Sequence, residues 1–226
     1  MFKRTLQIFL LLSLVIAFSP AVSKADSITF QLNTGNAGGL GCCTGPYATV
    51  TINRTSTTTA TVTFDSLTNG GYLYLLAAQG AVALNVNGSF TASSFSGSNS
   101  LSGFIPGPYS NGGAGNEDGF GSFNLTVNSF DGFQHSSTQI TFNLTLTSGS
   151  WASAADVLTP NASGFTAAVH GFACAQPGCS ITSGAAFTGY ATGTNGNTTV
   201  PEPGTLALFG TGLVGLAGIV RRRMVG

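Results

Sequence analysis

The sequence predicts an all-β fold: a two-sheet antiparallel β-sandwich, jelly-roll-like, with a signal helix before it and a transmembrane helix after it. Three observations carry this expectation. Apolar and polar residues alternate with a period of two through the middle of the chain, glycine-rich stretches separate the alternating segments, and apolar runs flanked by basic residues occupy both ends. The layout that follows is a signal peptide over 1–25, a sandwich domain over 26–192, a linker over 193–199 and a C-terminal segment over 200–226.

Taken in order, Ile28, Phe30 and Leu32 make a first strand with polar residues between them. In "YATVTI" Ala48, Val50 and Ile52 share one face, and in "TATVTF" Ala60, Val62 and Phe64 do the same. The polar "NRTSTT" between these two reads as a hairpin connection, with Arg54 at an exposed tip. Val82, Leu84 and Val86 form a middle strand. Alternation returns at Phe123, Leu125 and Val127, and again at Ile140, Phe142, Leu144 and Leu146. Threonine fills many of the intervening positions, which suits a pleated, half-buried surface. Glycine-rich breaks fall at Gly35–Gly41, Gly70-Gly71, Gly97–Gly121 and Gly193–Gly196. Only "ASAADVL", Ala152–Leu158, reads as helical, with Ser153 as its N-cap. Strands with one apolar face each need a second sheet to cover them, hence the sandwich.

The two ends read as addresses. Lys3 and Arg4 precede the apolar run Leu6–Phe18, and Ser23 and Ala25 offer a small-x-small cleavage site before Asp26. At the other end Gly204–Val220 holds no charge, would rise roughly 25 Å as a helix, and is stopped by Arg221, Arg222 and Arg223. Its five glycines weaken a helix in water and are tolerated in lipid. A signal followed by such a stop places the body between them outside the cytoplasmic membrane.

Pro201-Glu202-Pro203, the apolar span and the arginine cluster, in that order, resemble the bacterial PEP-CTERM sorting domain. The resemblance implies that Pro201, Glu202, Pro203, Arg221, Arg222 and Arg223 form a sorting motif. It also implies a membrane-embedded exosortase-type partner that processes the tail, and passage of the cargo to the cell surface or a polysaccharide matrix. The body resembles uncharacterised extracellular β-rich cargo of that system, and this second likeness implies no activity.

Formal net charge is zero over the 226 residues, but the basic residues sit in the two signals. Between Asp26 and Val200 only Arg54 is basic, against Asp26, Asp65, Glu117, Asp118, Asp131 and Asp156, a net charge of about −5. Affinity for a phosphate backbone needs clustered Lys and Arg, so nucleic acid is excluded as a partner, as is charge-driven binding to acidic polysaccharide. A surface of Ser, Thr, Asn and Gly can still hydrogen-bond sugar hydroxyls.

Four cysteines in an oxidising compartment, Cys42, Cys43, Cys174 and Cys179, point to disulfides with three possible pairings. Cys174 and Cys179 flank the turn "AQPG", whereas a vicinal Cys42–Cys43 bridge is strained. Asn116, Glu117 and Asp118 in "SNGGAGNEDGFGSF" bring oxygen ligands to a glycine-rich loop, the form of a calcium site. A hairpin turn with solvated carboxylates, with nothing to raise one pKa, accounts for the same residues. His170 falls on a strand face beside Phe172 and His135 in a polar connection; no nucleophile or metalloprotease motif accompanies either. Trp151, Tyr47, Tyr72, Tyr74, Tyr109 and Tyr190 could build a sugar-stacking platform or pack in the core. The expectation is thus an exported, non-enzymatic surface or matrix protein without a cofactor. A carbohydrate-binding module is the alternative. A secreted hydrolase would need a cleft where a carboxylate and a histidine converge.

Overall fold

A computed structural model of the chain describes residues 26–195, which form two antiparallel sheets packed face to face. The signal peptide over 1–25, the linker from 196 to 199 and the sorting segment over 200–226, its apolar span included, lie outside the described residues. Thirteen strands follow one another. They are β1 (Asp26–Leu32), β2 (Thr34–Gly35), β3 (Ala48–Arg54), β4 (Thr59–Ser66), β5 (Thr68–Asn69), β6 (Tyr72–Leu76) and β7 (Val82–Leu84). After these come β8 (Phe90–Ser98), β9 (Ser110–Glu117), β10 (Gly121–Asn128), β11 (Gln139–Leu146), β12 (Ala167–Ala175) and β13 (Phe187–Gly193). The first sheet has the order β1-β3-β4-β11-β8; the second runs β2-β13-β12-β7-β10-β9, with β6 also on β12 and β5 on β6. Among the described residues no helix is long and apolar enough to cross a membrane.

The predicted alternation sets the inner face of the first sheet. Ile28, Leu32, Val50, Ile52, Val62, Phe64, Ile140, Phe142 and Leu144 are all buried, and the Phe64 and Phe142 rings stack at 6.4 Å. On its outer face cross-strand hydroxyls pair, Thr29 with Thr51 at 2.9 Å and Thr63 with Thr141 at 3.2 Å. Tyr74, Leu76, Val82, Leu84, Leu125, Val127 and Val169 close the core from the second sheet. Trp151, Tyr47 and Tyr74 are buried too, so these three belong to the core and not to a stacking platform. The Trp151 indole N–H donates to the Asn87 carbonyl at 2.9 Å, the partner a buried indole requires.

Several expectations are corrected. Ala152–Leu158 is not a helix: only a 3₁₀ turn, Ala155–Val157, forms there, and Ser153 does not cap it. So short a segment cannot offset helix nucleation. Its apolar residues Ala154, Val157 and Leu158 instead plug the end of the core, while the Asp156 and Asp26 carboxylates accept the Ser153 and Ala154 N–H groups. The stretch Gly97–Gly121 is not one long break, because β9 lies within it as the edge strand beside β10. Arg54 is no exposed tip. It closes β3, is 5% exposed, and its Nε donates to Asp26 Oδ1 at 2.7 Å. The partner is Asp26 because β1 and β3 pair in a register that sets those two residues opposite each other. Finally, β13 extends to Gly193, and Asn195 still bonds to Ala155 and Thr166, so the body runs past 192.

Candidate functional site

The outer face of the second sheet carries three adjoining hollows of about 380, 310 and 240 Å³. Gln79 and Asn128 line both the first and the middle one, and Tyr190 lines both the middle and the third. Their continuity follows from the strand order, since β9, β10, β7, β12 and β13 are successive neighbours in this sheet. Glycine shapes the middle hollow. Gly112 and Gly115 of β9 let the Thr126 and Asn128 side chains of β10 lie against its backbone, where a Cβ would collide with them.

Glu117 ends β9 and points inward, 2% exposed. Room for its carboxyl exists because Gly80 has no side chain: a Cβ there would stand 2.5 Å from Oε1. Gly80 also has φ +65°, a second reason for glycine at this position. Glu117 Oε2 has no hydrogen-bond partner. Burial raises the Glu117 pKa from its ordinary 4.5 to about 8, so the group is mostly protonated at neutral pH. For Glu117 this corrects the expectation of a solvated carboxylate on a loop, whereas Asp118 is exposed as expected.

The third hollow is organised around Asn36, which is 7% exposed. Its Oδ1 accepts the Tyr190 N–H at 2.9 Å and the Leu40 N–H at 3.3 Å, and its Nδ2 donates to Asp118 Oδ2 at 3.2 Å. One side chain thereby ties β13, the 3₁₀ turn Leu40–Cys42 and the β9–β10 turn together. The three calcium candidates are parted by this arrangement. Glu117 and Asn116 line the middle hollow, whereas Asp118 lines the third and is taken by Asn36. Among the described residues no group of three His, Cys, Asp or Glu gathers as a metal site.

His170 on β12 lies directly across from Tyr190 on β13, and the two rings stack at 4.5 Å with an 18° interplanar angle. Its Nδ1 faces the Gln79 carbonyl at 3.2 Å, so Nδ1 carries the proton; Nε2 then accepts from Thr188 Oγ1 at 3.1 Å. Burial lowers the His170 pKa, against the Gln79 carbonyl and the Asp131 charge, which act to raise it. Tyr190 is raised by burial first, then by Glu117 and Asp118. His135 lies apart from this cluster: its Nδ1 faces the carbonyls of Ile105 and Gly107 at 2.8 and 2.9 Å, holding the 99–109 loop against the 3₁₀ turn Phe133–His135.

The cysteines divide. Cys174 and Cys179 are bridged across the "AQPG" turn, while Cys42 and Cys43 carry no bridge. Neither long-range pairing forms, nor does a vicinal one. Cys43 packs against the main core, whereas Cys174 sits in a separate small cluster with Leu73 and Leu75. Burial, together with the adjacent Cys42, pushes the Cys43 thiol up to about 12.

Of the candidate aromatics, Tyr190 and Tyr109 line the hollows, and Phe130, 55% exposed, joins Tyr109 in the first. Asn36, Gln79 and Gly80 were not singled out by the sequence. Their only signal was an amide beside glycine, which the chain repeats in many turns. Residues 199–223 match the family pattern described as the PEP-CTERM protein-sorting motif. No curated protein matches the chain, and no solved structure matches it.

Proposed function

We propose that this chain, bearing a PEP-CTERM sorting motif, is an exported protein displayed at the cell surface or in the extracellular matrix, with a body that binds or builds and does not catalyse. The match at residues 199–223 carries the reading. Such a motif implies export, a membrane-anchored intermediate and processing by an exosortase-type membrane enzyme. The chemistry of the body supports a non-catalytic role. A carboxyl and a histidine do approach one hollow system, but both nitrogens of His170 are engaged, by Gln79 and by Thr188. General acid–base work needs a nitrogen within reach of a substrate proton. Mass spectrometry of protein from the surface fraction tests the sorting: the mature form lacks Leu206–Gly226, and an intact "RRRMVG" terminus would overturn it. A second reading, carbohydrate binding by the body with extracellular polysaccharide as partner, is favoured by hollows lined with amides, hydroxyls and glycine backbone and by no Lys or Arg.

A further inference from the structure

We propose that the three hollows form one groove for a linear, uncharged oligosaccharide, with Glu117 hydrogen-bonding a sugar hydroxyl in the central subsite and Tyr190 dividing that subsite from the next. The proposal rests on the carbohydrate reading and assigns it a place. Its starting point is the Glu117 carboxyl, buried to 2% and lining the hollow with Oε2 unpartnered. Buried polar atoms are nearly always hydrogen-bonded, and an orphan reduces stability. The hollow opens to solvent beside this group, so a hydroxyl that enters it, of water or of a ligand, is the partner within closest reach.

The surroundings select the ligand. No Lys or Arg lines any of the three hollows, so phosphate, sulfate and uronate groups have no counter-charge. Gln79, Asn116 and Asn128 supply amides, and Thr126 and Tyr190 supply hydroxyls, in the same hollow as Glu117. Amides and a protonated carboxyl each donate and accept, which matches a hydroxyl that does both. A cation fits less well. Asn128 Oδ1 already accepts the Gly80 N–H at 3.0 Å and Asp118 is held by Asn36, which leaves the middle hollow one carboxyl, itself protonated, to bind it. The shape agrees as well. The glycines of β9 let the Thr126 and Asn128 side chains lie against its backbone at the wall of the hollow, and residues shared between neighbouring hollows make the path continuous, as a linear polymer needs.

The ionisable groups around Glu117 are Asp118 on the following turn, Tyr190 on β13 and, across the Tyr190 ring, His170 on β12. None is a cation at neutral pH, since burial lowers His170.

The test is isothermal titration of the full-length chain in detergent with maltotetraose, cellotetraose and mannotetraose. One of these binds, Glu117→Ala and Tyr190→Ala each weaken it tenfold or more, and Glu117→Gln, which keeps a donor and an acceptor, restores most of the affinity. Circular dichroism and thermal melts of each variant separate loss of binding from loss of fold, and Gln79→Ala, at the rim, repeats the test without touching a buried group. Binding unchanged in all these variants would overturn the groove while leaving the carbohydrate reading standing. No binding of any of the three sugars to the wild-type chain would overturn both. A calcium-induced rise in melting temperature that Glu117→Gln abolishes, without sugar binding, would show a cation site and overturn the proposal.

Discussion

Replacing Glu117 with glutamine isolates the cost of a carboxyl buried at the centre of the groove. With a folded-state pKa of about 8 against an ordinary 4.5, the folded chain holds this proton more tightly than the unfolded chain does. The unfolded state therefore releases the proton first, and stability is full below pH 4.5 and falls as pH rises toward 8. At about 1.36 kcal/mol per pKa unit, the loss over that window is on the order of 5 kcal/mol, with roughly 3 kcal/mol of it reached by pH 7. Glutamine has the same shape and no charge to form. Urea titrations of the wild type and Glu117→Gln at pH 5, 7 and 8.5 measure the difference directly. The two should be nearly equal at pH 5, with the variant more stable by several kcal/mol at pH 8.5. His170 titrates with the opposite sign. Its lowered pKa weakens the fold as pH drops below its ordinary 6.5, but that contribution is common to both chains and cancels in the comparison. A wild-type curve running parallel to the variant's across the whole range would refute the buried, protonated carboxyl.

Three further outcomes follow from groups elsewhere in the body. Arg54, the one basic residue between Asp26 and Asn195, is buried and paired, so trypsin should leave the folded body intact on a time scale that cleaves the urea-unfolded chain after Arg54, as a reducing gel will show. Asp26→Asn removes the charge partner and should cost about 1–3 kcal/mol in urea titrations, because the guanidinium stays buried while Asp26 is partly exposed. Alkylation under denaturing, non-reducing conditions should add two adducts by intact mass, at Cys42 and Cys43, with Cys174 and Cys179 reacting only after reduction. Four adducts without reductant, or none, would contradict that division.

What could be read in the sequence depended on whether side chains marked the pattern. In β3, β4 and β11 every second residue is apolar and the remainder are mainly threonine, so both the strand and its buried face were legible, and the residues expected inward are the ones the core holds. β6 buries nearly every residue, and β9 exposes nearly every one; in neither case does a period of two reach the sequence. Arg54 and Asp26 are a different failure. Each looks like a solvated charge, and only the β1–β3 register brings them together. The same limit applied to the groove. Glu117 was visible as one of two adjacent acids, but its environment depends on Gly80, 37 positions away, having no side chain to occupy the carboxyl's space. Thus β9 was missed for the reason that makes it useful. A strand made mostly of serine, asparagine, glycine and alanine carries no apolar signal, and that lack of bulk leaves room for the Thr126 and Asn128 side chains of β10 to lie against it beside the buried acid.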